Sequence, residues 1–252
     1  MAYDTMATTT NPALVIYVLD VSASMNQKLG TKRRIEVVVD ALRAALTTMV
    51  HRSTKGVSIR PRYRLAMFAY SDHVYDLLDG IKTIVEVASM GTPDLSTMRT
   101  TDTARAFTQV EQLLVAELPR LAACPAPLVC HITDGEYTGD DPELIVRRIM
   151  DLTVPDGNVL VENIFISDRI LPDPITNVRQ WPGVLPSTNL TNDYAQKLRA
   201  MSSTLPESYR QMMEESSYRI QRGALMLLPG TSPEMVAMGF QMSASTTMRV
   251  SS

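Results

Sequence analysis

Apolar positions along this chain alternate between two periods. Residues 13–19 read ALVIYVL, an unbroken run rich in β-branched side chains, which predicts a strand buried on both faces of a helix-covered parallel sheet. Over residues 34–50, Ile35, Val38, Val39, Leu42, Ala45, Leu46 and Met49 recur at steps of three and four, forming one stripe of an amphipathic helix. Strand followed by helix is the first half of a βαβ unit, and the alternation continues. Residues 63–70, 128–133 and 159–166 read as further strands, and 74–78 as a short strand after a turn at Ser71-Asp72. Helical spacing returns at 102–121, where Pro119 sits against the helix end, and at 142–152, with Pro142 in the first turn and Asp140 or Asp141 as cap. It returns again at 192–201 and 206–221, followed by short apolar stretches at 224–228 and 236–242.

This order predicts an α/β fold, doubly wound, with a mostly parallel central sheet flanked by helices on both faces and one short antiparallel edge strand. Residues 1–12 form a polar tail. Residues 13–205 make the main domain, and 206–252 add a helical and strand extension packed on it. The segment 167–189 is proline-rich, holds the sole tryptophan, Trp181, and reads as a long irregular connection.

Composition narrows the function classes. Apolar residues are 45% of the 252, enough for a large core, while a net charge of −3 supplies neither a nucleic-acid footprint nor a polybasic membrane patch. No signal-peptide pattern opens the chain, and no apolar run reaches the roughly 18 residues of a membrane span. Cys124 and Cys130 lack metal-site spacing and read as small buried residues, so a cytoplasmic setting is expected. The scattered His51, His73 and His131 read as structural. The methionines at 212, 213, 226, 235, 238 and 242 read as core filler or as an adaptable surface.

Chemistry is concentrated where strands end. Asp20-Val21-Ser22-Ala23-Ser24 follows the first strand, and ligands of open parallel sheets bind beyond the strands' carboxyl ends. One carboxylate and two hydroxyls are oxygen ligands suited to a hard cation such as Mg²⁺. Thr101 lies in a Thr-rich segment (Thr100-Thr101-Asp102-Thr103-Ala104) that opens a helix, and Thr133-Asp134-Gly135 follows another strand. Their bland readings are turns and helix caps. Glu136, Asp140 and Asp141 read as a solvated loop or as residues tuning what is accepted at the rim.

In order and spacing, these three motifs resemble the metal-ion-dependent adhesion site of the von Willebrand factor A (VWA) family, over about residues 13–167. The resemblance implies a Rossmann-like VWA fold of the intracellular bacterial type. It implies Ser22, Ser24 and Thr101 as direct ligands of Mg²⁺ or Mn²⁺, with Thr100 and Thr103 as alternatives to Thr101, and Asp20 and Asp134 acting largely through water. It further implies a non-enzymatic module whose metal binds an Asp or Glu of a partner protein, an AAA-type ATPase or a protein kinase and metal-dependent phosphatase pair. Two other readings compete with it. A haloacid dehalogenase-like phosphatase also begins with an aspartate at a strand end, but here Ser22 occupies the general acid/base position. A scaffold with a vestigial metal site is the other.

Overall fold

The computed structural model describes residues 3–98, 101–135, 137–167 and 170–245. The first strand, β1 (Ala13–Asp20), is buried at every position. It is flanked by two parallel partners, β2 (Tyr63–Tyr70) and β5 (Leu128–Thr133), in the registers Ala13↔Tyr63 and Val15↔Leu128. Beyond β5 lie β6 (Leu160–Phe165) and β7 (Leu227–Pro229), again parallel. Two short antiparallel strands, β3 (Val74–Asp76) and β4 (Lys82–Thr83), pair with opposite ends of β2, where one edge strand was expected. The sheet order is β7-β6-β5-β1-β2-β3, with β4 also on β2. This is the expected α/β architecture, a mostly parallel sheet flanked by helices.

The helices are α1 (Arg34–Ser53), α2 (Ile84–Met90), α3 (Thr103–Glu117), α4 (Glu143–Asp151), α5 (Asp193–Ala200), α6 (Glu207–Glu215) and α7 (Pro233–Ser243). Their ends follow local chemistry. Thr83 caps α2 and Glu86 reaches back to it; Asn192 caps α5 and Ser232 caps α7. Pro119 stops α3 at Glu117 and leaves a 3-10 turn, Leu118–Arg120. The helix expected at 206–221 ends early, at Glu215, where Ser217 adopts φ 69° and turns the chain.

Strand register sorts the core onto two faces. Tyr17, Cys130 and Glu162 are side by side on one face, under α7: the Tyr17 ring stacks on Phe240, and its hydroxyl lies 2.8 Å from Ser243 Oγ. Val18, His131 and Asn163 form the matching row on the other face, where the α3 residue Phe107 meets the His131 ring edge-on. Both cysteines are free and buried. Of the late methionines, Met213, Met226, Met235, Met238 and Met242 are buried, so they fill the core.

A candidate metal site at the strand ends

Parallel pairing places the carboxyl ends of β1 and β5 next to each other, and there the Asp20 and Asp134 loops meet. Beyond β1 the ladder continues one residue, with Val21 N–H donating to Tyr70 O at 3.0 Å. The chain then tightens into a 3-10 turn, Ala23–Asn26, anchored by fully buried Met25.

The polar groups form one connected chain. Asp20 is wholly buried: Oδ1 accepts from Ser22 N–H at 2.8 Å, and Oδ2 from the Thr133 hydroxyl at 2.7 Å. Ser24 donates to Asp134 Oδ1 at 2.6 Å, which leaves Ser22 as donor in the 3.0 Å contact between the two serine hydroxyls. Asp20, Ser22, Ser24 and Asp134 therefore occupy a single neighbourhood despite a separation of 114 positions in sequence between the acids. Burial pushes Asp20 up from 3.8 to about 6. The nearby Asp134 charge adds to the rise, while hydrogen bonds from Ser22 and Thr133 oppose it.

Thr101 is buried, in a segment tied to all three surrounding strand ends. Met98 N–H donates to Val21 O, Asp102 N–H to Ser71 O at 2.6 Å, and Thr138 N–H to Thr101 O at 2.9 Å. Asp102 caps α3 by accepting from Arg105 N–H at 3.0 Å. Thr103 is buried toward Tyr70. Thr100, Arg99 and Glu136 lie outside the described residues. Asp140 and Asp141 are exposed; Asp141 accepts from Lys197 at 2.5 Å and from Glu143 N–H at 3.0 Å, tying α5 to the loop before α4.

Two participants escape a reading by motif. Thr133 holds Asp20, a role visible only once β1 and β5 are known to be neighbours. Arg34 is the other: its Nη1 donates to Asp134 Oδ2 at 2.8 Å, while its Nε is buried without a partner among the described residues. Sequence carries a faint signal for it. A cation in the first turn of a helix opposes the positive end of the helix dipole, so Arg34 at the start of α1 requires an anion nearby.

The donor set is compatible with a hard divalent cation. Two carboxylates and neighbouring hydroxyls, all oxygen, converge at one sheet edge. Among the described residues no group of three or more His, Cys, Asp or Glu side chains forms a softer or more acidic cluster. His131 is not a candidate ligand, because both ring nitrogens are committed within the core, Nδ1 to Asn163 Oδ1 at 2.7 Å and Nε2 to the Tyr70 hydroxyl at 2.8 Å. Burial drops it to about 4, so it is neutral.

No family model matches the chain, and no curated protein matches it in sequence. Solved structures do. The pilus adhesin SpaC from Lactobacillus rhamnosus GG matches with a TM-score of 0.58 at 11% identity, over 93% of this chain and 30% of that one. BatB from Bacteroides thetaiotaomicron, described as a conserved hypothetical protein, gives 0.52 at 12% identity over 92% and 98%. The SpRpn10 VWA domain gives 0.44 at 13% identity over 62% and 76%. The chain thus spans under a third of the SpaC chain and nearly all of BatB. It shares with SpaC and BatB the α/β fold described above, a mostly parallel sheet flanked by helices.

Proposed function

We propose that the protein is a divalent-cation-dependent protein-interaction module. Asp20, Ser22, Ser24, Thr101 and Asp134 hold Mg²⁺ or Mn²⁺ at the carboxyl edge of the sheet, where it binds an aspartate or glutamate of a partner. The continuous chain Asp20–Ser22–Ser24–Asp134, drawn from two adjacent strand ends, carries this reading. Two carboxylates and neutral hydroxyls match a doubly charged ion without crowding it, so an octahedral site keeps room for an outside carboxylate. Binding fits better than turnover. The position two residues after Asp20 is the hydroxyl of Ser22, so no second carboxylate stands there as a general acid.

The partner class follows from the same chemistry, a protein surface presenting an exposed acidic side chain; an AAA-type ATPase, or a kinase with its metal-dependent phosphatase, are the candidates. No helix among the described residues is long and apolar enough to cross a membrane. With two free thiols in the core, a reducing cytoplasm is the setting we favour.

The test is calorimetric titration of the protein with MgCl₂ and MnCl₂, paired with thermal unfolding. One bound ion per chain is expected, and at a hundredfold excess over Kd it should stabilise the fold by about 2.7 kcal/mol. Asp20→Ala should abolish the heat and the shift together. A wild-type protein that stays folded yet takes up no ion at millimolar concentration would sink the reading.

A further inference from the structure

Asp134 already holds a positive charge of this chain's own. Its Oδ1 takes the Ser24 hydroxyl and its Oδ2 the Arg34 guanidinium, which leaves both carboxylate oxygens engaged. The Asp134 side chain is fully buried and that of Arg34 is 16% exposed, so the pair is shielded from water and weakly screened by salt. Resting on the metal reading above, we infer that Arg34 is a tethered competitor of the divalent cation: it neutralises Asp134 itself, and the ion must share or displace it to load.

Three features point to competition rather than to a fixed structural pair. First, the contact is single, Nη1 to Oδ2, and not the two-pronged geometry that makes Arg–carboxylate pairs strongest. Second, Arg34 Nε is buried with no acceptor among the described residues, so the guanidinium is incompletely satisfied where it lies. Third, Arg34 begins α1, where the helix dipole repels a cation, and among the described residues Asp134 is the acid it pairs with. Asp20 and Asp134 with Arg34 leave the cluster one formal negative charge. Adding a doubly charged ion beside a retained guanidinium would turn that excess positive at close range, and the flexible arginine stem gives the cheaper way out. Arg34 thereby sets the affinity of the site without being one of its ligands.

Calorimetry compares wild type with Arg34→Gln, which keeps a hydrogen-bond donor for Asp134 and removes the charge. The expected result is at least tenfold tighter Mn²⁺ binding by Arg34→Gln, about 1.4 kcal/mol. Wild type that binds while the folded variant binds equally or more weakly overturns the inference and leaves the metal reading standing. Binding by neither overturns both. A second measurement needs no variant. In ¹⁵N-labelled wild type, the Arg34 Nε–H signal should shift or broaden as Mg²⁺ titrates in, alongside the Ser22 amide that reports loading. An Arg34 signal unmoved at full Ser22 response refutes displacement.

Discussion

Glu162 and His131 stand on adjacent strands, one under each face of the sheet, and both are fully buried; their environments push them in opposite senses. The Glu162 carboxyl lies beside the Cys130 thiol, a weak donor, and near the Tyr17 hydroxyl, and burial raises it well above the usual carboxylate range. It is therefore folded as the neutral acid. An unfolded chain ionises Glu162 above about 4.5 while the folded one does not, so its contribution to stability declines as pH rises from there toward the folded value. Glu162→Gln, a neutral isostere, should match wild type near pH 4 and melt higher at pH 8. Melts across that range check it, and a constant difference would contradict the assignment. None of this was readable from periodicity: in sequence Glu162 is a charged residue interrupting VLVENIFI. Only the register that sets it beside Cys130 reveals a closed apolar slot.

At the scale of elements, α7 lies tight against the sheet at a position that has no side chain. A Cβ on Gly239 would stand 2.5 Å from Ile164 Cδ1 and 2.7 Å from Cγ1. Gly239→Ala should therefore cost about 1–3 kcal/mol through overpacking, despite alanine's better helix propensity. Denaturant titration of the variant tests this; a stabilised variant would show that β6 yields freely. The sequence made the long elements plain, because β1, β2, β5 and α1 carry their period over a whole strand or several turns. Shorter ones hid. The helix α2 has seven residues, too few for a period to show, though its Thr83–Glu86 capping pair was there to be read. The apolar stretch at 236–242 did not declare itself helical, since α7 is buried around most of its circumference and lacks a polar face. Two-residue β4 gives no alternation at all.

For the molecule as a whole, acid tolerance is tied to His131. The unfolded imidazole protonates near 6.5, the folded one only near 4. Stability should accordingly fall as pH drops from 6.5 to 4, by about 3 kcal/mol, and level off from this source below 4. His131→Gln should flatten that limb in urea titrations at stepped pH, whereas an unchanged slope would place the loss elsewhere. The proposed metal site is likewise a property of the assembled sheet. Motifs named Asp20, Ser22, Ser24, Thr101 and Asp134 from three distant segments; the fold sets the two acids within one hydrogen-bonded chain and lays the Thr101 segment across the neighbouring strand ends. Arg34 stayed out of sight because no short pattern joins the start of α1 to the end of β5.

The row beneath α7 has one more consequence. Cys130 is a thiol with no route to solvent while that helix lies on the sheet, and its burial keeps the reactive thiolate scarce. A water-soluble alkylating reagent can thus reach it only during excursions in which α7 peels away. Its modification rate should track the opening equilibrium of that helix, lagging far behind an exposed cysteine, and rising in Gly239→Ala protein. The native chain carries its own stopwatch for the breathing of its last helix.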